Sequence, residues 1–225
     1  MNTNKVNLAP EYSEFSCLIP LRGGSKAIPR KNLVLINNKP LYSYVAQSSL
    51  SAGVSTYVST EDKEIIDSCN ASFPDLSILK RPHHLAADTS TTESVVDHFL
   101  SSISNAKHII LLQATSPMTS TLNIKEAISL YLEHDCQPLI SVVKEHFFLW
   151  SKDGNPVNYD PLKRPRRQDW DGLFIENGAI YIFSREHFEK NKCRCSEKST
   201  LYLMNSTTLF EVDTIDDLNN ISKLL

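Results

Sequence analysis

Ser16-Cys17-Leu18-Ile19-Pro20-Leu21-Arg22-Gly23-Gly24-Ser25-Lys26-Ala27-Ile28-Pro29-Arg30-Lys31-Asn32 joins a short apolar run to a basic turn. Residues 16–21 read as a strand bounded by Pro20 and a glycine pair. The chain has six glycines, and two stand together here. Glycine permits positive φ and lets backbone N–H groups approach an anion closely. Residues 21–40 hold five Lys or Arg and no Asp or Glu. In a doubly wound α/β sheet, ligands bind outside the carboxyl ends of the strands, where this turn falls. The turn reads as a polyphosphate cradle; the alternative is an ordinary basic surface turn. It matches neither G-x-x-x-x-G-K-[ST] nor G-x-G-x-x-G.

The segments that follow alternate in period. Helices are predicted over 41–52 (stopped by Gly53), 61–72 (capped by Thr60), 91–104 (capped by Ser90 or Thr91) and 121–134. Strands are predicted over 54–59, 76–79, 109–112 and 139–143, the apolar 109–112 being of the kind buried on both faces. This β-α-β-α order predicts an α/β fold, a mostly parallel sheet with helices on both faces. Residues 144–172 break the pattern with Trp150, Trp170, three prolines and a basic run, and read as an excursion serving as a dimerisation arm. An arm of that length is not expected to bury Trp150, Phe147 and Phe148 against itself. Strands at 178–183 and 209–212 and a helix at 214–225 complete the expectation. The division is a polar tail at 1–14, then one domain at 15–225.

A chain of 225 residues suits one domain. Its 23 Lys+Arg against 26 Asp+Glu disfavour a general nucleic-acid binder. No apolar run approaches the roughly 18 residues of a membrane span, and the polar start does not read as a signal peptide. Five cysteines, Cys193-x-Cys195 among them, suggest free thiols in a reducing compartment, hence the cytoplasm.

Further chemistry is scattered. Arg81-Pro82, Asp88-Thr89-Ser90-Thr91-Thr92 and Gln113-Ala114-Thr115-Ser116-Pro117 all fall at predicted strand ends or helix starts on one rim. Taken singly, they are ordinary caps and loop residues. In a strand, Glu211 and Asp213 would face the same side, an arrangement that a hard divalent cation favours; the alternative is an acidic lead into a helix. Lys163-Arg164-Pro165-Arg166-Arg167-Gln168 carries four cations in six residues and suits a nuclear-import signal, a nucleic-acid patch or a carboxylate clamp.

Taken in order, the motifs resemble the N-acylneuraminate cytidylyltransferases. The carrying stretches are residues 22–32, Arg81-Pro82, residues 112–117, Arg166-Arg167-Gln168-Asp169-Trp170-Asp171-Gly172 with Glu176-Asn177-Gly178, and Glu211-x-Asp213. They span residues 17–218. Three positions depart from the family pattern: Ala27 stands for a usual Gly, Glu211 for a usual Asp, and Thr115-Ser116-Pro117-Met118-Thr119 lacks an Arg. The extra C-terminal domain of animal members is not expected in this chain. The resemblance implies a Rossmann-like domain, a homodimer, and transfer of CMP from CTP to the C2 hydroxyl of a sialic-type nonulosonic acid. It implies no nucleic-acid or membrane partner. Arg22, Lys26 and Lys31 would neutralise the triphosphate with the N–H groups of Gly23, Gly24 and Ser25. By the same resemblance Asn32, Arg81, Ser90, Thr92 and Gln113 hold the nucleotide or nearby sugar groups. Arg166 and Arg167 clamp the sugar carboxylate, and Glu211 and Asp213 hold Mg²⁺. No protein general base stands out, which leaves metal-assisted deprotonation. Legionaminic or pseudaminic acid as acceptor, another nucleotide, and a non-catalytic binding homologue remain alternatives.

Overall fold

The computed structural model describes residues 12–225; most of the expected tail, residues 1–11, lies outside them. The packing starts at Tyr12, which is nearly buried and meets Phe15 edge to face. The strands are β1 (Phe15–Pro20), β2 (Leu35–Ile36), β3 (Lys39–Pro40), β4 (Ser55–Thr60), β5 (Ser77–Lys80), β6 (His108–Leu112), β7 (Leu139–Glu145), β8 (Leu173–Ser184) and β9 (Thr200–Met204). The helices are α1 (Leu41–Ala52), α2 (Lys63–Ser72), α3 (Thr92–Ser102), α4 (Thr121–Glu133), α5 (Arg185–Asn191) and α6 (Ile215–Ile221).

Seven strands form one sheet in the order β5-β4-β1-β6-β8-β7-β9. Only β8 runs against its neighbours; β5, β4, β1 and β6 are parallel, as are β7 and β9. The alternating faces of β1 explain the layers. Cys17 and Ile19 pack with Tyr42 and Val45 of α1, Ile65 of α2 and Ile124 of α4 on one face, while Leu18 packs with Val96 and Phe99 of α3 and Phe188 of α5 on the other. A smaller cluster of Ile28, Ile36, Leu41, Val212 and Ile221 ties the basic turn to the C-terminal segment.

The helix starts follow side-chain chemistry. Ser120 makes a capping box with Asn123, Thr91 caps α3, and Ser184 caps α5. Thr60 does not cap α2. Thr60 closes β4, and Asp62 accepts the Ile65 N–H instead. The predicted strand at 209–212 is absent; a 3₁₀ turn covers Ser206–Leu209 and the chain then runs irregularly to α6. The edge strand there is β9, whose alternating buried and exposed residues went unread, as did the short α5. The strand expected at 178–183 is twelve residues long.

The excursion between β7 and β8 holds its own aromatic stack. Phe148 lies against Trp170 at 5.0 Å and Tyr159 at 4.3 Å, with the Arg164 guanidinium 4.0 Å above its ring. The arm thus buries part of Phe148 against itself, contrary to the sequence expectation. Trp150 and Phe147 remain 51% and 47% exposed, as expected.

Candidate active site

The turns that follow β1, β4, β5 and β6 meet at the carboxyl rim of the sheet. Those after β1, β5 and β6 enclose a cleft of about 280 Å³ whose lining includes Arg22, Lys31, Asn32, Arg81, Ser90, Thr92 and Gln113. Seven candidate residues from four separate stretches therefore share one cavity.

The cradle differs from its sequence reading in two ways. Neither Gly23 nor Gly24 has positive φ. Gly23 is needed for close approach, because a Cβ there would stand 2.4 Å from Asp62 Oδ2; Gly24 faces open space. Secondly, the acid-free segment is not acid-free in space. Arg22 and Lys26 both reach Asp88, at 3.0 and 2.8 Å. The hydrogen bond from Lys26, aided by Arg22, holds the Asp88 carboxyl below its ordinary value. Arg30 forks onto Asp62 at 2.6 and 2.9 Å and also meets Glu64. The Gly23 N–H donates to Glu61 at 2.7 Å. Of these carboxylates, Asp88 is the one that occupies Arg22 and Lys26. Asp88 lines the cleft, and the sequence reading held it only as part of the 88–92 stretch; Glu61 and Asp62, which brace the turn, went unnamed there, and their position just after β4 at the same rim was the available signal.

Asn32 is held by its Nδ2, which donates to the Arg22 carbonyl at 2.9 Å and ties the two ends of the turn together. Arg81 is 4% exposed. Its Nη2 donates to the Ser59 carbonyl at 2.7 Å and its Nη1 to Leu85 at 3.3 Å, while Nε stands 3.8 Å from Glu61. Burial pulls its guanidinium below the ordinary value, with Glu61 opposing. Arg81 thus braces the cleft wall from beneath. Ser90 Oγ donates to the His84 carbonyl and closes the turn that presents Asp88.

Glu211 and Asp213 do not line the cleft but stand beside it, joined to its lining through Lys31 and Thr115, without the strand that the i, i+2 argument assumed. Val212 lies between them, fully buried, and its N–H donates to the Thr115 carbonyl at 2.8 Å. Lys31 Nζ reaches Asp213 Oδ1 at 3.0 Å, which joins the basic turn to the acidic pair. Asp217, the capping-box acid of α6, accepts from the Asp213 and Thr214 N–H groups. Burial, and then repulsion from Asp213, raise the Glu211 carboxyl above its ordinary value. The Glu211 carboxylate lies over Gly178, where a Cβ would come within 1.8 Å of its Oε1. Among the described residues no group of three or more His, Cys, Asp or Glu is arranged around a common metal position.

Arg166 and Arg167 are not in this cleft. Arg166 pairs with Asp169 at 2.6 Å on the arm, and Arg167 is exposed in a 3₁₀ turn beside it. The cysteines stand as free thiols; burial pushes Cys17 up to about 12 and Cys195 up to about 11, which makes both poor thiolates.

Fold and cleft define a class: an α/β protein that presents a basic turn and an acidic pair at the carboxyl rim of a mostly parallel sheet. The chain belongs to the cytidylyltransferase family, whose sequence profile matches residues 16–224. It is 30% identical over 211 residues to an N-acylneuraminate cytidylyltransferase of Streptococcus agalactiae, covering 89% of this chain and 51% of that protein. A second relative of that name, from Oncorhynchus mykiss, is 33% identical over 80% of this chain and 43% of its own length. The chain thus spans about half the length of these relatives. A pseudaminic acid cytidylyltransferase of Campylobacter jejuni is 24% identical, with 90% of this chain and 92% of that protein covered. Among solved structures, a CMP:2-keto-3-deoxy-manno-octonic acid synthetase complexed with CTP superposes with a TM-score of 0.71 at 17% identity. The match covers 94% of this chain and 98% of that one. The likeness is of fold.

Proposed function

We propose that the chain transfers CMP from CTP to the C2 hydroxyl of an N-acylneuraminate-type nonulosonic acid. The observation that carries this reading is the junction of basic cleft and acidic pair through Lys31 and Asp213. Nucleotidyl transfer needs charge neutralisation along a triphosphate and a fixed line of attack, which is what such a junction supplies. The C2 hydroxyl gives up its proton to solvent as its oxygen bonds to the α-phosphorus, the bond from that phosphorus to the bridging oxygen breaks, and pyrophosphate leaves. Arg22, Lys26 and Lys31 bind the phosphates, with help from the turn's N–H groups at 24 and 25, that of Gly23 being taken by Glu61. Asn32, Ser90, Thr92 and Gln113 orient the nucleoside from the cleft wall, and Arg81 holds that wall in place.

The acidic pair fits Mg²⁺. Two hard carboxylates stand close enough that Asp213 raises Glu211, and Lys31 is the cation that counters them. Glu211 and Asp213 would hold the ion, with substrate phosphate and water completing its shell. A bound ion there would neutralise charge on the α-phosphate and lower the pKa of the attacking hydroxyl.

The sugar carboxylate falls to Arg166 and Arg167, whose planar forks suit it. Since these lie on the arm, outside the chain's own cleft, the reading includes a homodimer in which each arm serves the partner's site. The cytoplasm is the compartment proposed, given five unpaired cysteines and a nucleotide substrate. Among the described residues no helix is long and apolar enough to cross a membrane.

A second acceptor, a pseudaminic-type acid, is favoured by one observation: the relative with that name matches over nearly its whole length. Pyrophosphate release from CTP and Mg²⁺ with each sugar acid in turn decides between them. The Asp213→Asn variant keeps its shape and loses its charge; it is expected to stay folded and lose most turnover. Normal turnover by that variant at limiting Mg²⁺ removes the acidic pair from the reaction.

A further inference from the structure

We propose that Asn177, which does not line the cleft, is a positioning residue for Glu211. The inference rests on the reading of Glu211 and Asp213 as the metal-holding pair.

Asn177 is 2% exposed. Its side chain sits where β8 bulges: between the pairs Ile140–Tyr181 and Val142–Glu176, the single β7 residue Ser141 faces residues 177–180. Its Oδ1 accepts from Ser141 Oγ at 2.6 Å, and Ser141 Oγ accepts the Ile180 N–H at 2.8 Å. Its Nδ2 donates to Thr208 Oγ1 at 2.9 Å, with longer contacts to the Thr208 carbonyl and Met204 Sδ. Thr208 Oγ1 in turn donates to the Asn205 carbonyl at 2.7 Å.

One amide therefore ties two backbone segments together. The first is the bulge, which turns Gly178 to φ +67° and makes the floor on which the Glu211 carboxylate lies. The second is the 3₁₀ turn Ser206–Leu209, which ends two residues before Glu211. The floor and the segment that delivers the carboxylate are thus held at one separation by a neutral, buried, fully engaged side chain. Asp213 has other anchors, Lys31 and the α6 cap, so the effect of Asn177 falls on Glu211.

The test uses Thr208→Val, which deletes the acceptor and keeps the side-chain shape, beside Thr208→Ser, which keeps the hydroxyl. Asn177→Ala is the more severe companion. Mn²⁺ binding to the protein with CTP is read by electron paramagnetic resonance, CTP binding in EDTA by titration calorimetry, and the fold by thermal melting. Supporting ligands of metal sites commonly account for about tenfold or more in affinity. Thr208→Val is expected to weaken Mn²⁺ binding about tenfold and leave CTP binding in EDTA within about twofold, with Thr208→Ser close to the parent. Unchanged Mn²⁺ binding in a folded Thr208→Val, or an equal loss in Thr208→Ser, overturns the proposal. Asp213→Asn is run alongside: if it also binds Mn²⁺ normally, the metal reading falls with the proposal, whereas a loss there and none at Thr208 removes the role of Asn177 alone.

Discussion

Lys31 illustrates how single residues carry the site. Its side chain is mostly buried, lines the cleft and ends on Asp213, so one ammonium serves both the anion cradle and the acidic pair. Arg22 sits at the mouth with Asp88 as its resting partner, and a triphosphate offers it a stronger one. Arg22→Ala is expected to lower kcat/KM for CTP by about ten- to a hundredfold, the worth of one charge-assisted hydrogen bond. Near-parental turnover would take the turn out of the active site. Glu211 carries a pH signature. Because its folded carboxyl is raised, the folded chain keeps that proton to higher pH than the unfolded chain does. Its contribution to stability is full below the ordinary carboxylate range and lost as pH rises through the raised value. Glu211→Gln is therefore expected to raise the urea midpoint at neutral pH in EDTA, with the gain vanishing toward acid pH, and to lose metal-dependent turnover. A lower midpoint for the Gln variant at neutral pH counts against the burial of an ionised Glu211.

At the scale of elements, α2 links a helix start to the cradle. Asp62 caps α2 through Ile65 N–H, forks with Arg30, and packs where a Cβ on Gly23 would stand. Arg30 itself has φ 57°, a left-handed conformation unusual for a residue with a Cβ, and the Asp62 fork holds it there. Asp62→Ala removes cap and fork and is expected to cost about 1 kcal/mol or more. Asp62→Asn keeps a good cap and loses the charge, so in chemical denaturation it should fall between Ala and the parent. Equal losses for the two variants would assign the whole effect to the ion pair. The Thr60 cap expectation failed for a geometric reason: β4 runs one residue further, so the acid two places on takes the cap.

For the whole molecule, the uncovered sheet face bears most on function. Pairing puts Leu203, Val142 and Phe174 on one face of β9, β7 and β8, the last through Lys144. The cluster built on α3 and α5 covers this face as far as Ile140 of β7. Leu203 and Phe174 are each 53% exposed, beside the exposed aromatics of the arm. Such a patch suits a second copy of the chain. Sedimentation is expected to give a mass near twice 25.4 kDa. Arg167→Ala should weaken binding of the sugar acid far more than that of CTP, and Arg167→Lys should rescue little, since a point charge lacks the fork. A fully active monomer defeats the interface, and equal loss of both ligands defeats the assignment of Arg167.

Local patterns carried much of this in the sequence. The apolar runs and their 3.6-residue and two-residue periods determined α1, α4, β1, β6 and the α/β class, because they reflect burial on a face that the element itself defines. The basic residues Arg22 and Lys31 drew notice for a local reason too, and both line the cleft, whereas the glycine pair does not take the positive φ expected of it. Proximity between distant segments is not written in any such period. Asp88 beside Arg22 and Lys26, Asp213 on Lys31, and Glu211 over Gly178 join residues more than thirty positions apart. They follow from which strands are neighbours and how the C-terminal segment docks on Thr115. The strand argument for the acidic pair does not hold: no strand aligns Glu211 with Asp213. A buried Val212, pinned by one backbone hydrogen bond and a satellite apolar cluster, fixes the backbone between the two acids, and only the folded chain makes those contacts.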